Sequence, residues 1–148
     1  MSNREITYII NNLAELHNLA KNIAKTVKIG TAITLEGTLG AGKTELVRSI
    51  INHLSSAPVN VPSPTFNIVN TYNCTGGLKV WHYDLYRIKH ESELEELAFD
   101  EAFAEVAFIE WAEIAKHLLP NNTINIKMDI IENDKRLVTI NYNREGNV

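Results

Sequence analysis

The stretch that decides the fold is Gly37-Thr38-Leu39-Gly40-Ala41-Gly42-Lys43-Thr44, which fits the pattern G-x-x-x-x-G-K-[ST] of a phosphate-binding loop. An apolar run at 32–35 precedes the loop, and apolar side chains recur at helical spacing over 43–54 behind it. The glycines let successive backbone N–H groups point into one hollow at the positive end of that helix. This order of strand, loop and helix predicts a nucleoside triphosphate site.

Residues in the loop and directly after it have predicted roles in nucleotide binding. Lys43 is expected to meet the β- and γ-phosphates, and the hydroxyl of Thr44 is expected to ligate Mg²⁺. The N-K-x-D segment with which guanine-specific GTPases read their base does not occur in the sequence, so ATP is the expected nucleotide. The predicted nucleotide-binding residues are Leu39, Gly40, Ala41, Gly42, Lys43, Thr44 and Glu45.

A magnesium–nucleotide site also needs an acidic side chain at the end of a neighbouring strand, and two apolar runs supply one. Residues 78–83 are followed by Asp84, and residues 106–109 are followed by Glu110. From the residues alone the two acids rank level. One is expected to be the metal carboxylate and the other to activate or orient the attacking water, so both are candidate catalytic residues.

Hydrophobic periodicity predicts further helices and strands around this unit, with no linker, so residues 1–148 are expected to form one domain. Asn11 or Asn12 is the expected cap of the first helix, and His90 or Ser92 the expected cap of a later one. The expected elements are a helix at 13–27, an extended loop at 58–64, a hairpin of 66–72 with 78–83, a helix at 91–103, a short helix at 112–119 and a hairpin of 124–130 with 137–142.

Composition excludes several classes of protein. The 148 residues are 45% hydrophobic and 22% charged, as in an ordinary folded domain, and the net charge of −4 argues against autonomous binding of nucleic acid. No apolar run approaches the ~20 residues of a membrane span, and no signal peptide is evident, so a cytoplasmic protein is expected. The single Cys74 has no second cysteine for a disulfide or a zinc site.

Three further features have both a functional and a structural interpretation. His82 lies two places before Asp84 on the same strand face, where it can orient that carboxylate or simply pack. Arg87 can reach a phosphate or pair with acids of residues 91–105, and the ion pair is favoured. That stretch holds seven acids and no Lys or Arg, which is typical of a solvated helix face, and a docking surface for a partner is the alternative.

Four motifs in order resemble one known family over nearly the whole chain. They are the phosphate loop at 37–44, Ser63-Pro64-Thr65-Phe66, His82-Tyr83-Asp84-Leu85-Tyr86-Arg87 and Ile109-Glu110-Trp111-Ala112-Glu113. Together they resemble TsaE (formerly YjeE), the ATPase subunit of the bacterial machinery that makes threonylcarbamoyladenosine in tRNA. The resemblance implies an α/β fold, a P-loop NTPase three-layer sandwich whose mixed sheet is partly antiparallel and ends in a C-terminal hairpin.

The same resemblance implies roles for individual residues. Thr44 and Glu110 would hold Mg²⁺, Asp84 would be the base or the water-orienting acid, and Trp111 would lie beside the site. Residues 63–66, with Ser63 and Thr65, would act as a switch-like loop. The chain departs from the family at Thr38, Glu45 and Ala112, where Asp, Thr and Pro are usual, and Glu45 places a negative charge near the phosphates.

The function expected from residues and resemblance together is a slow ATPase that partner proteins stimulate, and the resemblance alone implies that these partners are TsaD and TsaB. Two rival functions stay open. The first is a small-molecule kinase, which the lack of an arginine cluster makes less favoured. The second is a nucleotide-sensing module in which binding matters and hydrolysis does not.

Overall fold

The computed structural model describes residues 3–143, and the predicted domain of residues 1–148 extends beyond it at both ends. Seven strands form one sheet. The strands are β1 (Asn3–Ile10), β2 (Ala32–Glu36), β3 (Val69–Asn73), β4 (Lys79–Asp84), β5 (Val106–Glu110), β6 (Ile124–Ile130) and β7 (Arg136–Asn143). The α-helices are α1 (Leu13–Ala24), α2 (Lys43–Leu54) and α3 (Phe99–Phe103), and the two longest 3₁₀ segments are Glu91–Leu97 and Ala112–Leu118.

The sheet has the strand order β1-β7-β6-β2-β5-β4-β3. Strand β2 is parallel to both of its neighbours, β5 and β6, and β4 is parallel to β5. The flanking pairs β3–β4, β6–β7 and β1–β7 are antiparallel. The prediction of a mixed, partly antiparallel sheet with a C-terminal hairpin is therefore confirmed.

Two apolar clusters cover the two faces of the sheet and make three layers. On one face α1 and α2 pack against side chains such as Ile33, Leu35 and Phe108. On the other face the segments 91–103 and 112–118 pack against Tyr83 and Ile109. Strand β5 lies between β2 and β4 and is buried along its whole length, so its carboxyl end is held between two rigid neighbours.

Several elements differ from their prediction. The expected helix at 91–103 is two pieces, because Ala98 adopts a left-handed conformation with φ 58° between the 3₁₀ segment and α3. The first helix ends at Ala24, its cap is Asn12, and Leu13 is exposed rather than part of the apolar face. Residues 66–68 form a turn before β3, and residues 112–118 are a 3₁₀ helix.

The acidic stretch 91–105 has its apolar side chains in the core. Leu94 and Phe99 are buried, and Leu97 and Phe103 pack against the same cluster. Tyr83 donates from its hydroxyl to the carbonyl of Leu97 at 2.7 Å, which holds the stretch against β4. Because these apolar side chains are in the core, they are not exposed for a partner, and the stretch fits a solvated acidic face better than a docking surface. None of the helices between residues 3 and 143 has the length and apolar character that crossing a membrane requires.

Candidate functional site

The glycine loop lies between the end of β2 and the start of α2, as predicted. Gly42 precedes the helix in a left-handed conformation with φ 107°, which side chains rarely adopt, and no side chain caps this helix end. The first N–H groups of α2 are thus left for another acceptor, and they carry the positive end of the helix dipole. This helix start is suited to an anion.

Lys43 is the buried cation of the loop. Its side chain donates to the carbonyl of Gly37, and Nζ lies 3.8 Å from the centroid of the Trp111 ring. The residue is only 5% exposed. Burial lowers the pKa of Lys43, and the carboxylates of Glu110, Asp84 and Glu113 partly offset this by raising it. A bound phosphate would compensate the charge that burial makes costly.

Thr44 and Glu110 meet at the carboxyl end of the central strands. Thr44 Oγ1 lies 3.0 Å from each carboxylate oxygen of Glu110. Glu110 is the last residue of β5 and is 2% exposed, whereas Thr44 is in the first turn of α2. The structure thus brings together two oxygen-bearing side chains that lie far apart in sequence.

Asp84 belongs to a different hydrogen-bond group. Its Oδ2 accepts from the Thr65 hydroxyl at 3.1 Å, and its Oδ1 accepts from the backbone N–H of Tyr86 at 2.9 Å. The hydroxyls of Ser63 and Thr65 lie 2.8 Å apart. The loop at 63–66 is therefore in direct contact with Asp84, while Glu110 contacts Thr44.

His82 contacts Glu110, and not Asp84 as the same-face argument suggested. Its Nε2 lies 2.6 Å from Oε2 of Glu110, and both side chains are buried. The reason is sheet register. His82 is paired with Phe108 on the parallel neighbour β5, so Glu110 is its diagonal neighbour, whereas Asp84 is two residues further along the same strand, about 6.6 Å away.

The predicted ion pair of Arg87 with the acidic stretch is wrong. The guanidinium carbon of Arg87 lies 4.7 Å from the centroid of the Phe66 ring, and Phe66 is 80% exposed. Within the described residues, Arg87 has no carboxylate at salt-bridge distance. Nearby, the ring of Tyr86 lies 4.8 Å from that of Trp111, so aromatic side chains border the site.

Glu45, the departure from the family pattern, is partnered by basic groups. One carboxylate oxygen pairs with Arg48, and the other lies 3.2 Å from Nε2 of His17 in α1. Arg48 in turn donates from Nε to the carbonyl of Val61 at 2.9 Å. These contacts offset the negative charge that Glu45 places near the loop.

Two cavities flank the glycine loop. The smaller one, about 250 Å³, is lined in part by residues 11–13. Arg136 of β7 also lines it and donates from Nε to the carbonyl of Ala41 at 3.0 Å. Nothing local in the sequence marks Arg136, because its contact with the loop depends on the order of the strands. The larger cavity, about 920 Å³, is lined by Gly37, Lys43 and Trp111.

A glycine loop between a central parallel strand and a helix, with a buried lysine and a carboxylate at the end of the adjacent strand, defines a P-loop NTPase fold. The crystal structure of YdiB from Bacillus subtilis is similar, with a TM-score of 0.80 and 29% sequence identity, over 97% of this chain and 88% of YdiB.

The family model described as "Threonylcarbamoyl adenosine biosynthesis protein TsaE" matches residues 10–138. Two proteins named "tRNA threonylcarbamoyladenosine biosynthesis protein TsaE" are similar to the chain. The protein from Rickettsia felis is 43% identical over 133 residues, which are 89% of this chain and 77% of the relative. The one from Bacillus subtilis is 38% identical over 130 residues, which are 86% of this chain and 80% of the relative. The chain belongs to the TsaE family, and the resemblance inferred from its motifs is confirmed.

Proposed function

We propose that this protein is a magnesium-dependent ATPase with slow intrinsic turnover, which acts in the formation of threonylcarbamoyladenosine in tRNA. Membership of the TsaE family supports the pathway. The observation that carries the proposed chemistry is the contact of Thr44 with both oxygens of Glu110, directly beside Lys43. Thr44 and Lys43 are adjacent in the glycine loop, so a phosphate bound by one would lie near the other.

The residues present fit Mg²⁺. Mg²⁺ prefers oxygen ligands and is commonly held by one or two protein groups together with substrate phosphates and waters. Thr44 supplies a hydroxyl oxygen and Glu110 a buried carboxylate. Held by Thr44 and Glu110, Mg²⁺ would supply positive charge to offset the negative charge that develops during phosphoryl transfer. Both residues are accordingly the proposed ligands.

Asp84 is the proposed base or water-orienting residue. It pairs in register with Glu110 across β4 and β5, so the two acids lie at the same edge of the sheet. Its contacts with Thr65 and with the backbone of Tyr86 hold the carboxylate without drawing it onto Thr44. Closure of the loop at 63–66 would therefore move the partner of Asp84 and change the position of the attacking water.

The smaller cavity is the proposed binding site of the adenine ring of ATP. It continues from Ala41 and Gly42 of the loop, and its wall includes the apolar side chains of Ile10, Leu16 and Met128. Apolar walls suit a flat aromatic ring, and the amides of Asn11 and Asn12 offer hydrogen bonds to its edge.

Slow turnover is expected because each arginine in the described part of the chain contacts another group of the protein. Within residues 3–143, Arg4 stacks on Tyr142, Arg87 on Phe66, Arg48 binds Glu45, and Arg136 binds loop carbonyls. Phosphoryl transfer needs a cation for the charge that develops, and an arginine supplied by a partner is worth about 10³ to 10⁵ in rate. TsaD and TsaB are the proposed partners that complete the site.

The deciding experiment measures phosphate release by the protein alone and with purified TsaD and TsaB. Slow release that rises on addition of the partners supports the proposal. High turnover in isolation, with no response to the partners, contradicts it. A nucleotide-sensing module would bind the partners equally with ATP and with a non-hydrolysable analogue, and its function would need no hydrolysis.

A further inference from the structure

A row of polar side chains runs from the half-buried Asn70 on β3 through the buried His82 on β4 to the buried Glu110 on β5, which is the proposed metal ligand. We propose that His82 is a positioning residue, which fixes the Glu110 carboxylate for the metal with its proton on Nε2 while its Nδ1 accepts from Asn70. The inference rests on the proposed function insofar as Glu110 is taken as a magnesium ligand.

The first observation is the contact between His82 and Glu110. His82 is fully buried, and its Nε2 lies 2.6 Å from Oε2 of Glu110. The same oxygen lies 3.0 Å from the hydroxyl of Thr44. An ionised carboxylate only accepts hydrogen bonds, so the shared proton belongs to the ring and lies on Nε2.

The second observation concerns the other ring nitrogen. Nδ1 of His82 is buried and has no hydrogen-bond partner. A proton there would be a buried donor without an acceptor, which is costly. The surroundings of both nitrogens therefore favour the ring form in which Nε2 donates and Nδ1 offers a lone pair.

The third observation is that Asn70 has a buried N–H donor, Nδ2, without a hydrogen-bond partner. Asn70 of β3 is directly opposite His82 in the antiparallel pair with β4. Its Oδ1 accepts from the amide of Asn67 at 3.1 Å, which fixes Nδ2 as the donor end. Nδ2 of Asn70 and Nδ1 of His82 are the two buried side-chain nitrogen or oxygen atoms without a partner in the described part of the chain.

In the proposed arrangement this donor and this acceptor, which come from directly paired residues and both lack a partner, form a hydrogen bond with each other. Asn70 thereby holds the ring, and the ring holds Oε2 of Glu110. Oε1 is left for the metal. Asn67 directly follows the loop at 63–66, so this row also connects that loop with the metal ligand, independently of the contact between Thr65 and Asp84.

The first test is the position of the proton on the His82 ring in the nucleotide-free wild-type protein, read by ¹⁵N NMR. We expect the Nε2–H form. His53 is an internal control of the opposite kind, because its Nδ1 lies 2.8 Å from the carbonyl oxygen of Ser49 and must carry the proton. An Nδ1–H form at His82 would overturn the proposal.

The second test compares variants by the Mg²⁺ concentration needed for tight ATP binding, with binding in the absence of Mg²⁺ as a second readout. His82→Leu removes the donor, whereas His82→Gln keeps an N–H near the position of Nε2. We expect the Leu variant to need about 10- to 100-fold more Mg²⁺, as for other residues that orient a metal ligand. The Gln variant should stay near the wild type, as should the distant control His53→Gln.

The outcomes are separable. A folded His82→Leu variant with an unchanged Mg²⁺ requirement, or with equal loss of Mg²⁺-free ATP binding, overturns the positioning role. Asn70→Ala should keep the proton on Nε2, which faces Glu110, but should shift the ¹⁵Nδ1 resonance of His82, because Nδ1 loses its donor; an unchanged Nδ1 resonance would remove Asn70 from the proposal. If the wild-type protein binds ATP without any response to Mg²⁺, the proposed function fails, while the NMR measurement still decides the tautomer. If His82→Leu does not fold, the NMR measurement on the wild-type protein still decides the proposal.

Discussion

The ammonium nitrogen of Lys43 lies 3.8 Å from the centroid of the Trp111 ring. Trp111 directly follows β5 and adopts a left-handed conformation with φ 58°, which is uncommon for a bulky side chain. Tyr86 packs on the ring from another direction at 4.8 Å. The surrounding contacts thus hold Trp111 over the lysine of the glycine loop in spite of the backbone strain.

This contact predicts a fluorescence signal. A phosphate that binds Lys43 should draw its ammonium group away from the ring, so ATP should change the emission of Trp111. The other tryptophan, Trp81, is buried and donates from Nε1 to Glu105 at 2.8 Å, away from the loop. We expect Trp81→Phe to keep the ATP-dependent change and Trp111→Phe to abolish it. A change that survives in Trp111→Phe would place the nucleotide elsewhere.

Lys43→Ala should weaken nucleotide binding. A charge-assisted contact of this kind is worth about 1.5 to 3 kcal/mol, which corresponds to roughly a ten- to hundredfold loss of affinity. Titration with a fluorescent ATP analogue measures the loss. Lys21→Ala, at an exposed position in the last turn of α1, is the matched control and should bind as the wild type does. Equal affinity in the Lys43 variant would mean that the loop is not the site.

We expect Gly37→Ala to lower the free energy of unfolding more than Gly40→Ala does. A Cβ at Gly37 would lie 2.3 Å from the carbonyl oxygen of Met128, and φ there is 147°. Backbone must move to relieve this contact, so we expect a loss of about 3 kcal/mol or more in the free energy of unfolding. At Gly40, with φ 80° and nothing within 4 Å of the added carbon, only the strain of about 1 to 2 kcal/mol applies. Urea unfolding of both variants measures the difference, and equal losses would contradict it.

Glu93 gives a pH-dependent contribution to stability. The backbone N–H groups of His90 and Lys89 donate to its carboxylate at 2.9 and 3.1 Å, and they lower the pKa of Glu93 below its ordinary 4.5. A carboxyl whose pKa is lower in the folded state than in the unfolded state stabilises the folded protein. This contribution is fully present above the pKa of the unfolded state and is lost as the pH falls through the pKa of the folded state.

We therefore expect Glu93→Gln to be less stable than the wild type at neutral pH, with a difference that shrinks as the pH falls below 4.5. Urea unfolding at several pH values measures this. The exposed neighbour Glu95 serves as the matched control, since Glu95→Gln should show a smaller difference. A difference for Glu93→Gln that stays constant down to about pH 3 would contradict the assignment.

Features that depend on local spacing were predictable from the sequence. The glycine loop, α2, the two acids at strand ends and both hairpins follow from motifs or from the period of apolar residues. Strand β1 was not predicted, although residues 6–10 are β-branched or aromatic, as is typical of a strand. Its pairing with β7 at the other end of the chain leaves no local signal. The partner of His82 could not be predicted either, since only the strand order places β5 beside β4 and brings Glu110 within reach.

Asp84→Asn and Glu110→Gln should separate the two acids, because each removes a charge and keeps the shape. Glu110 contacts Thr44 at 3.0 Å, and Asp84 contacts Thr65 of the loop at 63–66 at 3.1 Å. Since Glu110 is the proposed metal ligand, Glu110→Gln should weaken Mg²⁺-dependent ATP binding by about ten- to a hundredfold. Asp84→Asn should spare binding and slow turnover by about 10² to 10⁴, the usual contribution of a general base.

Binding and single-turnover hydrolysis, measured on the same preparations, distinguish these effects. The hydrogen bond from the backbone N–H of Tyr86 to Oδ1 of Asp84 can also be accepted by the Asn oxygen, so the Asn variant should keep the side chain at position 84 in place. His82 should still donate to the Gln oxygen at 110, which keeps that side chain oriented while its charge is lost. If binding is lost in Asp84→Asn and retained in Glu110→Gln, the metal and water-orienting roles are reversed, and the contact between Thr44 and Glu110 would then not mark the metal position.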